Sequence, residues 1–230
     1  MAATRKTILA SLVLAFISPA PAVAAPDTGH IIQRYDRAEL PEGEADQVEG
    51  MRALYDFGAC LAKARRRQVE RFLAVAPFSG AAHDAGKQVV SGECLNGGEM
   101  RFSPEALRGP FYQALYRRRF GDRAMPDLKD APQLDFSVAG GANPVAANLR
   151  RFADCVVRGD SWSARSLVMS EFATEAEREA FKALSPAMAS CIAPGDKLSF
   201  KPVLLRAVFA EVLYRLASAS SGSPMPMDRK

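Results

Sequence analysis

The 230-residue sequence has little of what most enzymes use for catalysis or for binding a metal ion. It contains only two histidines, His30 and His83, so few general-base or nucleophilic arrangements are available to it. None of its four cysteines has a second cysteine or a histidine within four residues, which disfavours both a zinc site and a CxxC redox motif. The sequence therefore predicts no catalytic residue, no cofactor and no metal ligand.

Long apolar runs are also scarce. The only one, from Ile8 to Ile17, has ten residues, whereas a membrane-spanning helix needs about 20. Two basic residues precede it, prolines follow, and residues 22–24 fit the small-x-small pattern of a cleavage site. This layout predicts a signal peptide over residues 1–24 and a periplasmic or secreted protein with no transmembrane segment after cleavage. The aromatic–basic motifs of RNA readers are missing, so nucleic acid is not an expected partner.

What the sequence does contain is an internal similarity. Two blocks occur twice in the same order: FGACLAK at 57–63 with FADCVVR at 152–158, and LRGPFYQALYR at 107–117 with LRAVFAEVLYR at 205–215. Cys94 lies between the two blocks of the first copy, and Cys191 lies between those of the second. Two blocks and a cysteine in nearly the same register predict a duplication, with copies at 51–125 and 149–217.

Each copy is expected to be helical. In residues 205–216 the apolar side chains recur at i, i+3, i+4, i+7, i+8 and i+11, which defines one face of a helix. An earlier helix is expected to carry Cys60 and to continue through Leu73, and Thr174 with Glu177 forms the pattern of a capping box. No segment alternates long enough to predict a strand. The predicted fold is all-α, with two tandem duplicated disulfide-clamped modules of about three helices each.

The predicted organisation follows the copies and the composition of the segments around them. It comprises a signal peptide at 1–24, an acidic leader at 25–50, helical module one at 51–125, a connection at 126–148, helical module two at 149–217 and a mobile tail at 218–230. Residues 26–50 of the leader carry seven acids against two bases. Prolines and a Gly-Gly pair mark the connection.

The four cysteines allow three disulfide pairings. One early and one late cysteine in each copy favour the pairs Cys60–Cys94 and Cys155–Cys191. Each pair would close a loop that contributes about 3–4 kcal/mol of stability on the chain-entropy estimate. A redox pair or a metal site is the less favoured alternative.

Charge is the feature that distinguishes the two copies. Module one carries thirteen bases against seven acids, and module two carries ten against eight. Two arginine triplets stand out in module one: Arg65, Arg66, Arg67, Arg117, Arg118 and Arg119. The simplest interpretation of these triplets is a solvated helix surface. The functional alternative is an anion-facing surface that binds a partner protein, a lipid headgroup or another anionic component of the cell envelope, and a third alternative is docking of the chain's own acidic leader.

Two resemblances bear on function. With the Phe-Gly-x-Cys start at 57–60 and the Leu-Arg-x-x-Phe close at 107–111, the chain resembles exported alphaproteobacterial proteins with a duplicated two-cysteine helical module, and this resemblance implies no activity. The Cys-loop-helix close of each copy is similar to small periplasmic helical immunity proteins that block secreted cell-wall amidases. We expect a non-enzymatic periplasmic protein that binds a partner through its surface. The alternatives are a hydrolase that uses carboxylates in the groove between the modules and an inhibitor like those immunity proteins.

Overall fold

The computed structural model describes residues 31–34, 44–95, 99–136, 144–193 and 200–221. Module one contains the helices α1 (Glu44–Ala64), α2 (Arg66–Ala74), α3 (Gly80–Val89) and α4 (Arg108–Phe120). Module two contains α5 (Pro144–Gly159), α6 (Ser161–Met169), α7 (Glu175–Ser190) and α8 (Pro202–Ser220). The predicted fold class, all-α with two disulfide-clamped modules, is confirmed. The predicted signal peptide lies outside the described residues.

A disulfide clamps each module, with the predicted pairing. Cys60 on α1 is bonded to Cys94, and their Cα atoms are 5.8 Å apart. Cys155 on α5 is bonded to Cys191 at the end of α7, with a Cα separation of 5.9 Å. Each bond therefore ties the first helix of its module to the segment that follows the third helix.

The helix predicted to continue from Cys60 through Leu73 is instead two helices. At Arg65 the backbone leaves the helical region, with φ −125° and ψ 39°, and α2 begins at the next residue. The change of direction lets Val69, Phe72 and Leu73 turn into the core, where all three are buried. Each module thus contains one nine-residue helix besides three longer helices: α2 in module one and α6 in module two.

A short antiparallel ribbon that the sequence did not predict joins the leader to module one. Strand β1 (Ile31–Arg34) pairs with β2 (Glu99–Phe102). Phe102 is buried against Phe57 of α1, with ring centroids 5.6 Å apart. Four-residue strands are too short for their alternation to be distinguished from a loop.

The second and third helices of the two modules are joined in the same way. Phe78 and Ala173 adopt positive φ values, 60° and 56°, and each immediately precedes the N-cap of the third helix. The N-cap side chains, those of Ser79 and Thr174, accept hydrogen bonds from backbone N–H groups in the first turn. Ser79 follows Cys60 at the same separation in sequence as Thr174 follows Cys155.

The modules pack on each other through α4 and α8. A Cβ atom added at Gly109 would lie 2.5 Å from the Cβ of Ala207, so the two helices approach closely there. Gly109 and Ala207 occupy the same position in the two similar sequence blocks. Further along, the rings of Tyr112 and Tyr214 pack with centroids 5.8 Å apart. The two last helices therefore form the centre of the molecule.

A buried arginine connects the modules beside this crossing. Arg206 of α8 is fully buried, and its Nε donates to Oε1 of Gln113 on α4 at 3.0 Å. Its Nη1 donates to Oε1 of Glu177 at 2.7 Å and to the hydroxyl of Ser170 at 3.2 Å, and its Nη2 donates to the Ser170 carbonyl. The cation is thus paired with a carboxylate, and four of its five N–H donors are occupied.

A second buried ion pair lies between α5 and α8. Arg150 contacts the carboxylate of Glu211 at 2.8 Å, and Arg215 approaches the same carboxylate at 3.4 Å. Burial alone would disfavour the charged carboxylate, but the guanidinium groups of Arg215 and Arg150 overcome it and lower the pKa of Glu211.

Candidate anion-binding groove

A groove of about 990 Å³ opens between α2 and the C-terminal end of α4. Six arginines line it: Arg66, Arg67, Arg71, Arg118, Arg119 and Arg123. A single carboxylate, that of Glu70, lies among them, and the buried side chains of Leu115 and Tyr214 form the floor. The groove therefore carries a strong excess of positive charge.

The helical period of α2 explains one side of the groove. Val69, Phe72 and Leu73 are buried in the core. At 100° per residue, Arg67 and Arg71 fall on the opposite side of the helix, one turn apart. Burial of the apolar face therefore directs these two arginines outward.

The end of α4 supplies the other side. Arg118 and Arg119 lie in its last turn, where cations interact favourably with the helix dipole. The guanidinium of Arg119 lies over the ring of Phe120, 5.3 Å from its centroid. Arg123 follows in the turn that succeeds the helix.

Three of the six arginines have no side-chain partner among the described residues. Arg66 forms an ion pair with Glu70 at 2.8 Å, and Nε of Arg71 donates to the backbone carbonyl of Arg67 at 3.4 Å. Across the part of the chain that the structure describes, the side chains of Arg67, Arg118 and Arg123 make no hydrogen bond, ion pair or ring contact. Their guanidinium groups are available to a ligand.

Two of the six predicted arginines, Arg65 and Arg117, lie elsewhere. Arg65 donates to the backbone carbonyl of Gln88 at 3.0 Å and forms an ion pair with Glu93 at 3.3 Å. Arg117 donates to the carbonyls of Val168 and Met169 at the end of α6, at 3.1 and 2.9 Å, and also to that of Ser170. The last carbonyls of a helix lack partners inside that helix. Both side chains therefore stabilise helix ends in the fold.

Two arginines of the groove were missed in the sequence. Arg71 lies four residues after Arg67, and this spacing within a helix was a signal that could have found it. Arg123 lies beyond the end of α4, so helical periodicity could not assign it to the same surface. Arg117 and Arg118 belong to one triplet in the sequence, but their side chains point to different parts of the molecule.

Module two lacks this charge. The counterparts of the six arginines follow from an alignment of the two modules. Cys60 is aligned with Cys155 for the second helices, and Leu107 is aligned with Leu205 for the last helices. They are Ser161, Trp162, Ser166, Leu216, Ala217 and Ser221. Leu216 and Ala217 are fully buried. None of the counterparts is charged, and in module two α6 packs directly on α8, whereas α2 and α4 leave the groove open between them.

A smaller cavity of about 250 Å³ lies where α1 and α4 meet the segment after α6. Its carboxylates are those of Asp56 and Glu171, and both residues are exposed. Tyr55 also lines it, and burial raises the pKa of Tyr55 to about 12, so this hydroxyl keeps its proton at neutral pH. The predicted hydrolase named no particular carboxylates, and Asp56 and Glu171 are the two that line this cavity between the modules. Carboxyl groups that act as acids are generally held in apolar surroundings, which these two lack, and the hydrolase stays a prediction.

Within the described ranges no group of three His, Cys, Asp or Glu side chains could hold a metal ion. No helix among the same residues has the length and apolar character needed to cross a membrane. Comparison with known protein families, curated proteins and solved structures gives no significant match.

Proposed function

We propose that this chain is a non-enzymatic binding protein of the periplasm that holds an anionic ligand in its arginine groove. The observation that carries the proposal is the composition of the groove, with six guanidinium groups around one carboxylate. Arginine suits this role because its planar fork forms paired hydrogen bonds with oxyanions.

The comparison with module two supports a role in binding. Cations gathered in one groove repel one another, so without a ligand they oppose the compact state. The counterparts in module two are uncharged, and Leu216 and Ala217 there are buried. Since these like charges cost stability and are not repeated in module two, binding gives a reason for them.

The disulfides support export. Such bonds persist in oxidising compartments and are rare in the cytosol. Each disulfide joins two cysteines of the same module, and no cysteine remains free. A signal peptide at 1–24 would deliver the chain to the periplasm.

We also propose that the modules arose by duplication, as in the exported alphaproteobacterial proteins that the sequence resembles. The positive φ values at Phe78 and Ala173 occur at matching positions, immediately before matching N-caps. The close approach of Gly109 to Ala207 likewise joins matching positions of α4 and α8. A duplication followed by charge changes in one copy accounts for both the likeness and the contrast.

The test compares two triple variants of the exported, disulfide-bonded protein. The groove variant carries Arg67→Gln, Arg118→Gln and Arg123→Gln. The control carries Arg101→Gln, Arg178→Gln and Lys182→Gln, which removes the same charge from side chains that are 71%, 67% and 78% exposed. We expect the groove variant to elute from phosphocellulose at a clearly lower salt concentration than the control, because it loses clustered cations.

Thermal unfolding should differ little between the groove variant and the parent, because the three substituted arginines have no partner in the part of the chain that the structure describes. Equal elution of the two triple variants would contradict the proposal, since retention would then depend on total charge alone. A third protein tests self-docking of the acidic leader: it lacks residues 26–43, the part of the leader that precedes α1, and self-docking predicts stronger retention after this deletion.

A further inference from the structure

The arginines enter the groove from two sides. Arg67 and Arg71 come from α2, where four residues of helix separate them by about 6 Å along the axis. Arg118 and Arg123 come from the end of α4 and the turn after it. An anion in the groove therefore meets guanidinium groups on both walls.

The size of the groove excludes a single small anion as a full occupant. Its volume of about 990 Å³ equals roughly 30 water molecules at about 30 Å³ each. One phosphate or one carboxylate would fill a small part of that space and engage few of the arginines. Several linked anionic groups would use the groove along its length.

The floor offers little to an apolar ligand. Leu115 and Tyr214 expose only 3% and 2% of their surface. A peptide that alternates acidic and apolar side chains would gain little by burying the apolar ones there. The groove therefore favours a ligand that carries charge along its whole length.

The arrangement of donors distinguishes phosphate from carboxylate. A carboxylate is planar and has two oxygens, which one guanidinium fork can occupy in a bidentate pair. A phosphate group directs its oxygens to several sides, so a chain of linked phosphate groups can accept hydrogen bonds from both walls.

Resting on the proposed function, we infer that the groove binds a linear chain of phosphate groups and holds two or more of them at once between its arginine walls.

The experiment measures binding to the full exported chain by titration calorimetry. The probes are a short inorganic polyphosphate, orthophosphate, poly-L-glutamate of matched charge and phosphatidylglycerol vesicles. We expect polyphosphate to bind about 100-fold or more tightly than orthophosphate per phosphate, because linked groups act together. Poly-L-glutamate should bind at least about tenfold more weakly than polyphosphate.

The two triple variants supply a second readout. In single-stranded nucleic acids, each phosphate contact contributes about −0.7 to the slope of the logarithm of the binding constant against the logarithm of the salt concentration. We use the same value for polyphosphate. The variant with Arg67→Gln, Arg118→Gln and Arg123→Gln should lose roughly 2 units of this slope, whereas the control variant keeps it.

Each alternative result has a defined consequence. Equal binding of poly-L-glutamate would overturn the phosphate inference and leave the proposed anion-binding function standing. If orthophosphate bound as tightly per phosphate as polyphosphate, or if the vesicles bound more tightly than polyphosphate, the inference of a linear phosphate chain would be overturned and the proposed anion-binding function would stand. Binding of none of the probes, or equal loss in both triple variants, would overturn the inference and the proposed function together.

Discussion

At the scale of single residues, a buried charge here depends on complete pairing. Arg206 has no exposed surface, and its guanidinium contacts Gln113, Ser170 and Glu177. Bringing a cation and a carboxylate out of water is costly, and the cost is offset only when both are well hydrogen-bonded. Glu177 also accepts a hydrogen bond from the backbone N–H of Ala173 at 2.6 Å, so one carboxylate pairs with Arg206 and caps α7.

Replacing Arg206 by methionine should lower the free energy of unfolding by about 3–5 kcal/mol, because the charge of Glu177 would remain buried without its partner. Adding Glu177→Gln should recover part of this loss, since a neutral amide can still accept the bond from Ala173. Urea unfolding at neutral pH measures both. A double variant no more stable than Arg206→Met would show that the unpaired charge is not the cause.

Neighbouring residues show how far the candidate site could be predicted from sequence. The excess of arginine in module one was visible, and it indicated an anion-facing surface. The separation of Arg117 from Arg118 was not, because it depends on where α6 of the other module ends. Arg117 lies near the exposed carbonyls of that helix end, and Arg118 faces the groove. Only the packing of two modules assigns the two residues to different roles.

At the scale of elements, the approach of α4 and α8 is set by small side chains. An added Cβ at Gly109 would lie 2.9 Å from the Cα of Ala207, which is backbone and cannot move aside without shifting a helix. The same block of sequence gives glycine in one module and alanine in the other. The pair permits the close contact, and a larger residue at either position would separate the helices.

Gly109→Ala should therefore lower stability by about 1–3 kcal/mol through overpacking, although alanine favours helix. Gly50→Ala is the matched control, because Gly50 lies on α1 with nothing within 4 Å of an added Cβ. That variant should gain up to about 1 kcal/mol. Urea unfolding of both checks the contrast, and a gain in Gly109→Ala would mean that the helices are not in tight contact.

The elements also show which parts of the fold the sequence predicts. The cysteine spacing and the repeated blocks led to both disulfides and to the helical class, because these signals are periodic or paired along the chain. The break at Arg65 has no proline or glycine to mark it. It accompanies the hydrogen bond from Arg65 to the carbonyl of Gln88, which is a contact between distant residues. Pattern within one helix carries no information about such a contact.

At the scale of the whole molecule, the two modules share one core. The Gly109–Ala207 contact, the hydrogen bond from Arg206 to Gln113 and the hydrogen bonds from Arg117 to α6 all cross between them. Loss of one module would expose buried apolar surface of α4 or α8 and break the bond between Arg206 and Gln113. The modules are therefore expected to unfold together as one cooperative unit.

Removing either disulfide tests this coupling. The pair Cys155→Ser and Cys191→Ser should lower the free energy of unfolding by about 3–4 kcal/mol, since the unfolded chain gains loop entropy. The pair Cys60→Ser and Cys94→Ser should do the same, because the two closed loops are of similar length, with separations of 34 and 36 residues.

Pulsed hydrogen exchange along a urea series measures the protection of α1 and α5 separately. In each variant both helices should lose protection at the same urea concentration, because unfolding of one module removes the surface on which the other packs. Loss confined to the module without its disulfide would mean that the contacts between α4 and α8 are too weak to couple them.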